Sequence, residues 1–166
     1  RRPLHREFIH AMRRHPFRFA MADQTRPHVS SLQALIGSIV LARVLRPHWK
    51  DQRHVGILLP PTVAGALVNV AAPLCGKTSV NLNYTVGKSG LEAAVRLAGL
   101  RTIVTSRVFV EKAKLELPDG PSIVWLEDVA RTIGTGQKLA ASLLALCAPA
   151  RLIERACGQH TPLTMD

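Results

Sequence analysis

Two glycine-bearing stretches, seven histidines and three cysteines are the residues of this chain whose type and spacing could support chemistry. Cys75–Ser79 reads CGKTS and contains the tail of a GxxxxGKT phosphate loop, but Ala71 stands where the first glycine belongs. The stretch also leads into a strand pattern. A phosphate loop instead opens a helix, so that free N–H groups and the helix dipole face the anion. Gly76 therefore reads as a helix stop. GTG at 134–136 is the second glycine-rich candidate. His5, His10 and His15 recur every five residues, which on a helix turns each to a different face, so they do not converge on one ion. They read as surface groups. Cys147, Cys157 and His160 lack the paired spacing of a zinc site. No GxSxG elbow presents a nucleophile, and Cys75, near the end of an apolar helix pattern, reads as packed. The residues assign no catalytic, cofactor-binding or metal-ligating group.

The remaining candidate is a contact surface. Across Gln137–Cys157, Leu139, Leu143, Leu146 and Ile153 share a helical stripe that Pro149 must kink or break, with Lys138, Arg151 and Arg155 beside it. Such a segment suits an anionic membrane surface, with leucines in the acyl boundary and cations at the headgroups. It equally suits docking on further parts of a larger protein, and the pattern leaves both open.

Composition narrows the partners. The formal charge is +11, and residues 1–53 hold 11 basic and 3 acidic side chains, so +8 of that +11 lies in the first third. This balance favours anionic partners: membrane lipid, an acidic carrier protein, a nucleotide or nucleic acid. Nucleic acid is disfavoured, because aromatic residues are only 4% of the chain and no recognition module is present. Three cysteines without paired spacing point to reduced thiols and a cytoplasmic setting. The opening RRPLHREFIH has charge but no apolar stretch after it, so no secretory leader is expected. The longest apolar run, LAASLLALCAPA, falls short of the roughly 20 residues that span a bilayer.

The elements that must position these groups follow from periodicity. LHREFIHAMRRH (4–15) is an amphipathic helix ended by Pro16, and FRFAMAD (17–23) alternates as a half-buried strand with Phe17, Phe19 and Met21 inside. Ser30 and Gln33 have capping-box spacing before a helix with Leu32, Leu35, Ile36, Ile39, Val40 and Val44 on one face. RPHWKDQRH reads as a polar connection. VGILL (55–59) is a continuous apolar run, as expected of a parallel strand buried on both faces. Pro60 and Pro61 end it, Thr62 caps a helix through Leu74, and TSVNL (78–82) is the next strand. A right-handed crossover makes the two strands parallel neighbours. Ser89 and Glu92 are a second capping-box candidate, with Leu91, Val95, Leu97 and Ala98 buried and Gly99 closing the helix. RTIVTS, a short RVFVEKAKL helix, the ELPDGPS turn and a SIVWLED strand complete the rhythm. The expected fold is α/β, an open, mainly parallel sheet with helices on both faces. Residues 1–130 read as that unit and 131–166 as a helical, basic-hydrophobic tail ending in a loop-like GQHTPLTMD.

HVGILLPPTVAGALVNVAAPLCGKTSVNLNYTVG resembles the N-terminal sheet of the adenylate-forming (AMP-binding) acyl synthetases, in which a hydrophobic strand ending in LP precedes a helix and then a strand with an LN ending. RTIVTSRVFVEKAKL followed by SIVWLEDV resembles the synthetase half of the bifunctional acyl-[acyl-carrier-protein] synthetase/2-acylglycerophosphoethanolamine acyltransferases. The match covers about Leu4 to Val129. It implies, for a longer parent protein, ATP- and Mg²⁺-dependent activation of a fatty acid, transfer to carrier-protein thiol, and reacylation of a lysophospholipid at the inner membrane. The family's Thr-Ser-Gly-rich phosphate loop, ribose-binding aspartate, catalytic lysine and acyltransferase His-x4-Asp motif find no counterpart in these residues, so none is carried over. Thr105–Arg107 (TSR) is a strand end. The expectation is therefore a truncated piece of that ligase, scaffold with part of an acyl-pocket wall and no activity alone. Its implied partners are the remainder of the synthetase, acyl carrier protein and the anionic membrane surface. Self-association through uncovered apolar surface is also expected.

Overall fold

The computed structural model describes residues 3–159. The GQHTPLTMD loop expectation lies outside them from His160 onward. The first helix, α1 (Leu4–Arg14), is followed by two short antiparallel strands, β1 (Phe19–Met21) and β2 (Val29–Ser30). Helix α2 (Ser31–Leu45) starts at the capping box foreseen: Ser30 Oγ accepts the Gln33 amide, and Gln33 Oε1 accepts the Ser30 amide. Then β3 (His54–Leu58), α3 (Val63–Leu74), β4 (Thr78–Asn81), α4 (Gly87–Ala98), β5 (Thr102–Thr105), α5 (Arg107–Lys112) and β6 (Ser122–Trp125) alternate. Helices α6 (Leu126–Arg131), α7 (Thr135–Cys147) and α8 (Ala150–Cys157) follow.

Strands β4, β3, β5 and β6 form one parallel sheet in that order. The apolar run of β3 is explained by cover on both sides. Val55 and Ile57 enter the larger core with α2, α3, α7 and α8, while Leu58 joins Leu91, Val95 and Ile103 on the face covered by α4. Thr62 Oγ1 accepts the Gly65 amide at the start of α3, and Gly76 (φ +69°) ends that helix in the left-handed conformation. Gly99 (φ +60°) does the same for α4.

Seven expectations are corrected. Phe17 and Phe19 are exposed: Phe17 falls in the turn before β1, and Phe19 is the first residue of a strand that pairs only with the two-residue β2. Helix α2 is buried around most of its surface, Ala34, Ser38, Ala42 and Leu45 included, since α1, α3 and α7 all pack on it. The polar-looking RPHWKDQRH holds a 3₁₀ turn (Arg46–Trp49) that drives Trp49 wholly into the core. Helix α4 begins two residues before Ser89 with no side-chain cap, and Leu97 is 90% exposed, because the face of α4 turned to the core runs through Leu91, Ala94, Val95 and Ala98. Leu126–Asp128 belong to α6 and not to a strand. Ile153 leaves the leucine stripe and is buried, since Pro149 separates α7 from α8 and re-aims the second helix inward.

Candidate functional site

Two regions carry polar groups in positions that matter. The first lies at the carboxyl ends of the strands. The connection from β3 leads to β4 on one side, while β5 lies on the other, so the loops after β3 and β5 diverge and leave a crevice, as open α/β sheets do at such a switch point. The crevice has a volume of about 740 Å³ and is lined by Pro60, Thr62, Ser106, Phe109, Lys112 and Glu127 among others. A neighbouring hollow of about 460 Å³ shares Asp23, Thr25, Leu126 and Ala130 with it and reaches Lys138 past Val40 and Leu67. Together they form a mainly apolar trough.

Asp23 shapes one wall. Its Oδ1 accepts hydrogen bonds from the Thr25 amide (2.9 Å), the Thr25 hydroxyl (2.8 Å) and the Arg26 amide (2.7 Å). Its Oδ2 accepts the Val63 amide at 2.8 Å and so ties the loop to the first turn of α3. The Thr25 hydroxyl, then the Val63 and Arg26 amides, hold the carboxyl down at about 2. Glu127 shapes the other wall: its Oε1 accepts the Ser106 hydroxyl at 2.7 Å. Burial works against its charge, but the Ser106 hydroxyl and nearby backbone amides outweigh it and leave the carboxyl below its ordinary value. Sequence reasoning missed both carboxylates. The DQT turn around Asp23 was the signal available, since Asp accepts from amides two and three residues on.

The glycine-bearing candidates do not form an anion cradle. Gly76 stops α3, and Lys77 donates its ammonium to the Gln52 carbonyl at 2.7 Å. Gly134 stands before α7 with its amide given to Gln137 Oε1. These residues do not fit a triphosphate. Among the described residues, no group of three or more His, Cys, Asp or Glu side chains gathers as metal ligands. The three N-terminal histidines differ from the surface expectation in one case: His5 is buried and its Nε2 meets Glu154 Oε1 at 2.8 Å. Cys75 is packed, its thiol donating to the Ala42 carbonyl at 3.2 Å, and burial pushes it well above the ordinary thiol range.

The second region is α7–α8. Lys138, Leu139, Leu143, Leu146, Arg151 and Arg155 all lie exposed, with Leu139, Leu143 and Leu146 at 64%, 58% and 59%. The opposite side of α7 packs on the core through the fully buried Ala141 and Ala145 and the half-buried Leu144, the two alanines allowing the helix to approach α2 closely. Two arginines of α1 fix the hairpin. Arg13 Nε donates to the Ala145 carbonyl (2.7 Å), and its Nη2 donates to those of Leu144 (2.8 Å) and Ala148 (2.6 Å), satisfying the C-terminal carbonyls of α7. Arg6 forks onto Glu154 of α8, with Nη2 2.8 Å from Oε2. Sequence reasoning missed Leu152, which adds a fourth exposed leucine (48%). Among the described residues, no helix is long and apolar enough to cross a membrane.

No family model matches the chain. Among solved structures, the N-terminal subdomain of NpsA from Klebsiella oxytoca is similar at a TM-score of 0.69 and 16% identity, over 79% of this chain and 33% of that one. NpsA in complex with 3-hydroxyanthranilyl-AMSN gives 0.70 at 15% identity, over 83% and 28%. O-succinylbenzoate Coenzyme A synthetase (MenE) from Bacillus subtilis, in complex with AMP, gives 0.66 at 16%, over 76% and 33%. The likeness is one of fold: a four-stranded parallel sheet flanked by helices, as in the N-terminal subdomain of adenylate-forming synthetases. This chain spans about a third of the length of each of these larger proteins.

Proposed function

We propose that this chain is the N-terminal scaffold of an ATP-dependent ligase that activates a fatty acid as its adenylate and passes it to carrier-protein thiol, and that the chain is inactive by itself. The observation that supports this most is the parallel β4-β3-β5-β6 sheet, which has the fold of such subdomains. Adenylate formation needs a triphosphate cradle, a metal between phosphate oxygens and a cation on the developing charge. The glycine-bearing stretches at Gly76 and Gly134 do not fit a triphosphate cradle, so this reading assigns ATP and Mg²⁺ to the remainder of the ligase. The part of this chain is to set the sheet and offer the apolar trough at its carboxyl ends as a stretch of acyl-pocket wall. Use of the acyl group to reacylate a lysophospholipid, at the cytoplasmic face of the inner membrane, is the part of this reading that rests on the resemblance alone, over about Leu4 to Val129 and most specifically in RTIVTSRVFVEKAKL and SIVWLEDV. The expected result is no ATP–pyrophosphate exchange by the 166-residue chain with any fatty acid; clear exchange would overturn the scaffold role.

A second reading is a basic interaction module for an anionic membrane or an acidic carrier protein. The outward leucines and cations of α7–α8 favour it.

A further inference from the structure

We infer that the α7–α8 hairpin is a preformed peripheral docking face for an anionic lipid bilayer; this deepens the interaction-module reading and does not depend on ligase activity. The charge layout carries the inference. Residues 135–157 contain one carboxylate, Glu154, and the fold turns it inward onto His5 and Arg6, where it is almost wholly buried. The outward side of both helices is thereby left cationic, with Lys138 on α7 and Arg151 and Arg155 on α8. On the same two helices the leucines of one α7 stripe, at i, i+4 and i+7, and Leu152 of α8 are exposed. The α7 stripe runs about 10 Å along the helix.

Three features select a bilayer over an acidic protein helix. The leucines at 139, 143 and 146 protrude, each more than half exposed, from the side of α7 opposite the core-packed Ala141, Leu144 and Ala145, so they form a ridge, and a ridge enters a deformable acyl layer without needing a matching groove. Exposed leucines outnumber exposed cations on this face, so a partner that only paired the charges would leave most of the apolar surface wet. The hairpin is also already ordered, because Arg13 holds the end of α7 and the Arg6–Glu154 fork holds α8. Ordering entropy, which weakens helices that fold only on contact, is therefore settled before binding.

The test is co-sedimentation of the whole chain with vesicles of phosphatidylglycerol and phosphatidylcholine against pure phosphatidylcholine. Partitioning should favour the anionic vesicles and fall with salt. Removing all three cations (Lys138→Gln, Arg151→Gln, Arg155→Gln) should lower it on the order of a hundredfold, from about fivefold per charge. Leu139→Ser with Leu143→Ser should lower it by roughly tenfold or more. Both variants change exposed side chains, and an unchanged melting temperature confirms that they fold. Equal binding to both vesicle types, or variants that bind as the parent does, would overturn the inference. So would binding to an acidic carrier protein with none to vesicles, which would nevertheless leave the module reading standing. A dimer abolished by the leucine variants, without vesicle binding, would overturn both.

Discussion

Replacing Glu154 by alanine should unfasten α8 from α1. The carboxylate is buried and accepts from His5 Nε2 at 2.8 Å and from the Arg6 fork, across 149 and 148 residues of sequence. Removing one member of a buried pair typically costs about 3–5 kcal/mol, because the partner charge stays behind unpaired. Arg6 is 28% exposed at its side chain and can regain water, which places the cost near the lower end, about 3 kcal/mol. With a urea dependence of roughly 2 kcal/mol per molar, the unfolding midpoint should fall by about 1.5 M. An Arg6→Ala, Glu154→Ala double-mutant cycle should show strong coupling. The pH dependence has a definite sign. Hydrogen bonding to Arg6 foremost, resisted by burial and helped by His5, holds the Glu154 carboxyl below its ordinary 4.5. Its stabilisation is complete above 4.5 and is lost as pH falls below that value through the lower folded-state value. Glu154→Gln should flatten this part of the acid limb, while Asp23, held at about 2, keeps a contribution at still lower pH. A midpoint shift under about 0.3 M, with an unaltered acid limb, would mean that Glu154 and Arg6 act as an exposed ion pair and do not fasten α8 to α1.

Gly56→Ala places a methyl group 2.9 Å from Ile103 Cγ1 and 3.2 Å from the Thr102 carbonyl oxygen in the middle of the sheet. It should cost about 1–3 kcal/mol by urea titration, and a neutral result would mean that β3 and β5 are not packed this closely. Thiol labelling should modify Cys147 rapidly in the folded chain and reach Cys75 and Cys157 only on unfolding, Cys157 being raised by burial to about 12. Rapid labelling of all three would place the ends of α3 and α8 outside the core.

The centre of the fold was legible because its signals are local. A strand covered on both faces must be apolar throughout, as Val55–Leu58 is, and Thr62 and Ser30 cap the helices that their own spacing announces. What was illegible is long-range. Trp49 sits among charged neighbours, and only the turn that swings it inward shows that it is core. Leu97 looks apolar enough to be buried, yet it falls off the face that α4 gives the sheet. The pairing of His5 and Arg6 with Glu154 has no trace in spacing. For the proposed contact surface, residue type singled out leucines and cations of α7–α8 that the structure leaves exposed. The direction in which Glu154 points, which decides the charge of that face, came only with the packing of α8 on α1.

Fatty-acid-dependent ATP–pyrophosphate exchange decides whether this chain is, as proposed, the frame of a larger acyl ligase. The assay should compare the 166-residue chain with a chain extended by the coding sequence downstream of Asp166. Exchange is expected only in the extended chain, arising with a Thr-Ser-Gly-rich phosphate loop in the added residues. Exchange by the short chain, or an extension with neither that loop nor exchange, would contradict that role.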